Sequence, residues 1–206
     1  MKTGKSKVIA ALSITVLIFV VGFVLGNISI SSKIGVVQHL QNEIYTESLG
    51  FDILFDLAED NLCDESNIAD INYYLTDFGE KVAYLEEKNK YFEEVRILKN
   101  QYNALEIKHF LLINKINTQC GDEYNTILYF YGSESKCNSC LIQGLELTSS
   151  KTKHPNIMIY SFDYSSQYAP VKNLINRYGI DTSPTLIING QKFVKFRDSE
   201  EIISLI

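Results

Sequence analysis

Short apolar segments alternate with amphipathic ones after Gly121, and this alternation constrains the fold more than any other feature of the 206-residue chain. The first and second apolar segments are rich in aromatic and β-branched residues and end at turn residues, which is typical of buried strands. Asn189-Gly190 separates two further apolar runs and predicts a hairpin, because both residues tolerate the positive φ of a tight turn. The predicted elements are, in order, strand Ile127–Tyr131, helix Ser139–Ser150, strand Ile157–Phe162, helix Tyr168–Tyr178, strands Thr185–Ile188 and Phe193–Phe196, and helix Ser199–Ile206. This βαβαββα order implies an α/β fold with a parallel portion, right-handed crossovers and an antiparallel edge.

The segment before Gly121 has the periodicity of helices. Apolar residues recur there at three- and four-residue steps and no proline interrupts them, so we predict three helices. The predicted helices cover Ile34–Leu62, a segment that follows the cap candidates Asp64–Asn67, and Tyr91–Ile116. Their charged faces account for most of the formal net charge of −6. Because such a surface repels phosphate, we do not expect nucleic acid as a partner.

The amino terminus contains an uncharged apolar run, Val8–Leu25, directly after Lys2, Lys5 and Lys7. About 20 apolar residues are enough to cross a bilayer, and a positive flank stays on the cytoplasmic side. The pattern therefore predicts a single-pass protein of the cell membrane with a cytoplasmic amino terminus and an extracytoplasmic remainder. The alternative is a cleaved signal peptide, since Val24-Leu25-Gly26 is an acceptable cleavage site.

The pair Cys137-Asn138-Ser139-Cys140 lies between the first predicted strand and the first predicted helix after it. Unpaired N–H groups and the helix dipole at such a position stabilise a thiolate, and Lys136 adds a positive charge. We therefore predict Cys137 as the nucleophile that forms a mixed disulfide, Cys140 as the thiol that resolves it, and Lys136 as an activating residue.

Two further cysteines, Cys63 and Cys120, end the first predicted helix and precede the first strand. A structural disulfide between them would close a loop of about 58 residues and contribute about 4 kcal/mol. Free thiols, a redox relay to the other pair and a four-cysteine zinc site are the alternatives. His39, His109 and His154 have no metal-site spacing and are interpreted as surface or helix-face residues. We predict no metal and no cofactor.

Residues 124–206 resemble the thioredoxin superfamily in four segments, ILYFYG, KCNSC, IYSFDY and INRYGIDTSPTLIINGQKFVKF. The resemblance implies a cis bond at Ser183-Pro184, facing the cysteine pair, with the backbone of Ser183 binding the client. The exported part also resembles archaeal single-pass thioredoxin-fold proteins. Two features depart from the family pattern. The chain has no Trp, and Tyr129 stands near the position of the family's buried acid.

Together these features predict the fold class and the function. The fold class is α/β, a thioredoxin fold preceded by a transmembrane helix and a small all-α segment. The predicted divisions are a cytoplasmic basic tail (1–7), a transmembrane helix (8–30), an acidic helical segment (31–120) and a thioredoxin-like domain (121–206). The predicted function is membrane-tethered extracytoplasmic thiol–disulfide exchange with cysteine-containing client proteins, served by a membrane redox partner. The alternatives are a non-catalytic binding module and a membrane-anchored chaperone, and the direction of electron flow is undecided.

Overall fold

The computed structural model of the protein describes residues 12–24, 45–46, 48–89, 93–121, 124–132 and 137–206. The chain divides into two compact units, Met1–Leu49 and Gly50–Ile206. The first unit contains a described helix over residues 12–24, whose side chains are exposed. All of the elements that concern the cysteines belong to the second unit.

The prediction of a membrane span at residues 8–30 is wrong for the part of it that is described. Across the described ranges, no helix combines the length and the apolar character that crossing a membrane requires. Residues 8–11 and 25–30 of the predicted span lie outside the described residues. The predictions of a membrane anchor and of a membrane location are corrected accordingly.

The predicted fold class is corrected for the same reason. A thioredoxin fold preceded by a transmembrane helix is not what the structure has. The second unit is a mixed α/β unit in which three helices precede a four-stranded mixed sheet and its own helices. The apolar residues of the three helices pack within this unit.

The three helices before the sheet are α1 (residues 48–60), α2 (Glu65–Asn89) and α3 (Glu93–Cys120). Ion pairs link Asp52 to Lys108 at 2.7 Å and Glu59 to Lys115 at 3.6 Å, so α1 runs parallel to α3. A backbone N–H at the start of α2 donates to the Asp64 carboxylate, which satisfies one free donor of the helix end. The helices share an apolar core of Phe51, Phe55, Ile68, Ile71, Phe78, Leu98 and Ile113.

The sheet is built from four short strands that alternate with three helices. In chain order these elements are β1 (Asn125–Tyr131), α4 (Asn138–Lys153), β2 (Ile157–Asp163), α5 (Ala169–Tyr178), β3 (Thr185–Ile188), β4 (Gln191–Val194) and α6 (Ser199–Ile203). The strand order is β2-β1-β3-β4, with β1 and β2 parallel and the other neighbours antiparallel. Asn189 and Gly190 have φ of 46° and 84° at the β3–β4 turn, which confirms the predicted hairpin.

Helix α3 lies along β2, which is one edge of the sheet. The N–H of Ser161 on β2 donates to Glu106 Oε1 on α3 at 2.9 Å. Because a strand edge has N–H groups that no other strand satisfies, the Glu106 carboxyl satisfies one of them from the helix. The carboxyl end of α3 is joined to the start of β1, where the Asn117 side chain bonds both N and O of Tyr124.

Candidate functional site

The cysteine pair lies where β1 ends and α4 begins. Cys137 is the N-cap residue of α4, and Cys140 is in its first turn. The two form a disulfide with a Cα–Cα distance of 5.4 Å, and both are buried, 5 % and 7 % exposed. The first N–H groups of a helix have no partner within it, so the sulfur atoms lie in the part of α4 that favours negative charge.

Cys140 is held by two hydrogen bonds from the end of β1. The N–H of Gly132 donates to Cys140 Sγ at 3.3 Å, and the Tyr129 hydroxyl donates to the carbonyl of Cys140 at 2.6 Å. The first bond would stabilise a thiolate at Cys140 after reduction, because it places a fixed donor on the sulfur. The second fixes the backbone of the first turn of α4. Burial raises the pKa of Tyr129, so its hydroxyl stays protonated and can donate.

Ser183 and Pro184, the client-binding residues that the resemblance implied, lie beside the cysteine pair. The Ser183-Pro184 bond is cis. A Cβ placed on Gly132 would lie 2.6 Å from Ser183 Oγ and 3.3 Å from Cys137 Cβ. Ser183 and Cys137 therefore both lie close to Gly132, and a larger side chain at this position would require the Ser183 hydroxyl to move.

Lys136, the predicted activating cation, lies outside the described residues. A different lysine, Lys99 of α3, lines the same cleft of about 1110 Å³ as the two cysteines. Its Nζ is 2.6 Å from Glu86 Oε1 of α2 and 5.5 Å from the centre of the Tyr131 ring. Burial alone would lower the pKa of Lys99, but Tyr131 and Glu86 outweigh it and raise the pKa above the ordinary value. Lys99 is thus a permanent cation in the cleft.

Two buried ionisable residues of α3 lie behind the cleft. Burial raises the pKa of Glu106 to about 8, although the Ser161 N–H, the Tyr102 hydroxyl and Lys99 oppose the rise. Burial also lowers the pKa of His109 to about 4, with a smaller contribution from Lys151. The Tyr160 hydroxyl and His109 Nδ1 are 3.1 Å apart. At neutral pH both residues are predominantly uncharged, which suits their low exposure.

Sequence reasoning missed this part of the site. The interpretation of His109 as a surface or helix-face residue is wrong as to the surface, because His109 is 1 % exposed and lies on a buried face of α3. His154 is exposed, and His39 lies outside the described residues. Glu106 stands four residues after Tyr102 and three before His109, among apolar helix positions. The only sign of these residues in the sequence was that they are polar residues on an otherwise apolar helix face. Their partners are distant in the sequence, so the pattern did not identify them.

Cys63 and Cys120 form the second disulfide, with a Cα–Cα distance of 5.6 Å. It joins the turn after α1 to the last residue of α3. In the described part of the chain, no group of three or more His, Cys, Asp or Glu residues could hold a metal ion. Of the alternatives weighed for Cys63 and Cys120, the disulfide is the state that the structure has.

No protein-family model matches the chain, and no curated protein matches it. The resemblance to the thioredoxin superfamily therefore stays a prediction.

Proposed function

We propose that this protein is a thiol–disulfide oxidoreductase that exchanges the Cys137–Cys140 pair with cysteine-containing client proteins. The observation that carries the proposal is the position of this disulfide at the amino end of α4, with the Gly132 N–H on Cys140 Sγ. The proposal includes no membrane tether. It keeps the predicted roles of Cys137 as the nucleophile and Cys140 as the resolving thiol.

The oxidised pair would react with a reduced client in two steps. A client thiolate attacks Cys137 Sγ, the Cys137–Cys140 bond breaks, and Cys140 leaves as a thiolate that accepts the Gly132 N–H. A second client thiolate then attacks the client sulfur of the mixed disulfide, and Cys137 leaves as a thiolate. The client loses two electrons and two protons, and the cysteine pair gains them. The reverse sequence reduces a client disulfide.

The hydrogen-bond geometry favours Cys137 as the sulfur that is attacked. A leaving thiolate departs faster when it is stabilised, and among the described residues the Gly132 N–H is a fixed donor to Cys140 Sγ. Ser139 Oγ lies 3.9 Å from Cys137 Sγ, which is a weak contact for sulfur. The surroundings of the two sulfur atoms therefore differ, as we expect if Cys137 is attacked and Cys140 leaves.

Trapping of the mixed disulfide tests the proposal. In the full chain with Cys63→Ser and Cys120→Ser, the Cys137 thiolate of a Cys140→Ser variant should attack a glutathionylated cysteine peptide, glutathione should leave as the thiol, and the mixed disulfide with the peptide should accumulate, seen as a reducible mass increase. A Cys137→Ser variant, the matched control, should accumulate far less. If neither variant forms an adduct, and the wild-type pair does not cycle in glutathione buffers, a non-catalytic binding module is the better description.

The reduction potential of the pair then gives the direction of exchange. A value of about −270 mV would indicate a reductase, and a value of about −120 to −180 mV would indicate an oxidase or isomerase. The measurement is a thiol-alkylation gel shift across glutathione buffers with Cys63 and Cys120 replaced by serine.

A further inference from the structure

The cleft that contains the cysteine pair continues between α2 and α4. Its floor contains Tyr129, Tyr131 and Ile159 of the sheet, and α2 supplies Ala83 and Glu86 as one wall. Its volume of about 1110 Å³ exceeds the roughly 300–1,000 Å³ of small-molecule sites. The size therefore suits a polypeptide segment better than a small metabolite.

The α4 wall of the cleft exposes large apolar side chains next to the cysteines. Leu141 and Leu145 are 68 % and 63 % exposed, are one helical turn apart and both line the cleft. Ile142 is also exposed but does not line the cleft. Apolar side chains grouped beside a reactive pair mark an interaction surface rather than scattered surface residues.

Gly144 keeps this wall open between the two leucines. A Cβ added there would meet no atom within 4 Å, so the packing of the protein does not require a glycine. A glycine inside a helix costs about 0.5–1 kcal/mol relative to alanine. Gly144 thus lowers the stability of the helix without relieving a contact in the protein. Binding of a ligand in the open space beside it would account for the glycine.

The charges of the cleft limit what the ligand can be. Glu86, Glu87 and Asp163 line the cleft together with Lys99 and Lys151, and Lys99 is engaged by Glu86. Among the described residues that line the cleft, acidic groups thus exceed basic ones by one. A neutral or basic segment fits this balance better than an acidic one.

We infer that the groove between α2 and α4 binds an unfolded segment of the client, with an apolar residue of that segment on Leu141 and Leu145 and its cysteine at Cys137. The inference rests on the proposed function and names its substrate class. Cysteines of folded proteins are mostly buried among apolar residues, so an unfolded client exposes both features together. The groove complements such a segment, because its apolar wall lies next to the Cys137–Cys140 disulfide.

Exchange rates with two glutathionylated peptides test the inference in the full chain. Both peptides carry one cysteine and a lysine at each end; one has leucines around the cysteine and the other has serines. The reduced wild-type protein should react at least about tenfold faster with the leucine peptide, with each rate divided by the rate for glutathione disulfide. The double change Leu141→Ser and Leu145→Ser should abolish that preference, and so should Gly144→Trp, which fills the groove.

Ile142→Ser is the matched control, since it removes an exposed apolar side chain of the same helix outside the cleft, and it should retain the preference. Equal normalised rates for the two peptides in the wild-type protein would overturn the inference, as would a loss of preference with Ile142→Ser equal to that of the leucine pair. A protein that exchanges with neither peptide nor glutathione disulfide would instead refute the proposed function. If Gly144→Trp does not fold by circular dichroism, the leucine pair decides alone.

Discussion

Gly132 is the residue at which the cysteine pair, Ser183 and the end of β1 meet. We predict that Gly132→Ala lowers the free energy of unfolding by about 1 kcal/mol. The Ser183 hydroxyl, 2.6 Å from the new Cβ, can rotate away, whereas Cys137 Cβ at 3.3 Å is fixed by the backbone. Urea unfolding measures the effect. Gly144→Ala is the control and should gain about 0.5–1 kcal/mol, because its Cβ meets nothing and alanine favours helix. Equal effects of the two changes would contradict the prediction.

Glu106 and His109 give the stability of the protein a particular pH dependence. The folded protein holds a proton on Glu106 up to a pKa of about 8, against 4.5 in the ordinary case, so stability falls as pH rises between these values. Folded His109 is neutral down to about pH 4, against 6.5, so its contribution rises with pH between 4 and 6.5. The two slopes oppose each other between about pH 4.5 and 6.5.

Above that window the Glu106 slope is the larger of the two, and we expect a net loss of about 1 kcal/mol between pH 6.5 and 8, because the slope of about 1.4 kcal/mol per pH unit halves as the pH reaches the pKa of Glu106. The measurement is the urea midpoint at pH 5, 6.5 and 8. Glu106→Gln keeps an acceptor for the Ser161 N–H and removes the titration, so the decline should disappear. A decline that persists in this variant would assign it to another group.

For single residues of the site, the sequence predicted the cysteines as the reactive groups but did not predict the residues that surround them. Cys137 and Cys140 were found because two thiols three residues apart carry their chemistry wherever they lie. Glu106 and Lys99 were not singled out, because a glutamate or lysine on a helix is ordinarily a solvent-exposed residue. The packing of α3 against β2 buries Glu106, and Glu86 of α2 together with Tyr131 of β1 holds Lys99 in the cleft.

The Cys63–Cys120 disulfide joins the turn after α1 to the end of α3, and its two cysteines are 57 residues apart in the sequence. We predict that changing both cysteines to serine lowers the free energy of unfolding by about 4 kcal/mol, because the unfolded chain regains the entropy of an open loop. Chemical denaturation of the double variant checks this. A loss below about 1 kcal/mol would mean that the ion pairs and the apolar core already fix these helices without the covalent bond.

The elements that the sequence predicted well are those whose signals are local. The β3–β4 hairpin follows from Asn189-Gly190, whose backbone has the expected positive φ. Gly179 ends α5 with φ of 58°, as a glycine after a helix predicts. The membrane span predicted from the apolar composition of Val8–Leu25 is wrong for the described part of that segment, because no described helix has the length and apolar character that crossing a membrane requires.

In the molecule as a whole the two disulfides lie at opposite ends of β1. Asn117 ties the Cys120 end of α3 to the start of β1, and Gly132 follows its last residue beside Cys137. A strand of seven residues separates them by roughly 20 Å. This spacing opposes the redox relay that the sequence left open.

We therefore expect the reduction potential of Cys137–Cys140 to shift by less than about 30 mV when Cys63 and Cys120 are changed to serine, a difference of about 1.4 kcal/mol. Alkylation of both proteins across one series of glutathione buffers measures the shift. The same series on Gly132→Ala is the positive control, since that change disturbs the pair directly. A larger shift on loss of the distant disulfide would show that the two are energetically coupled.

The two edges of the sheet differ in a way that limits how the protein can self-associate. The edge at β2 is covered by α3, with the Glu106 carboxyl on the Ser161 N–H. No described strand pairs with the outer side of β4, which ends at Val194, 40 % exposed. Addition of strands between copies would therefore join β4 to β4 and stop at two copies, because the opposite edges of the joined sheet are both covered. Fibril growth by this route would first require α3 to separate from the sheet.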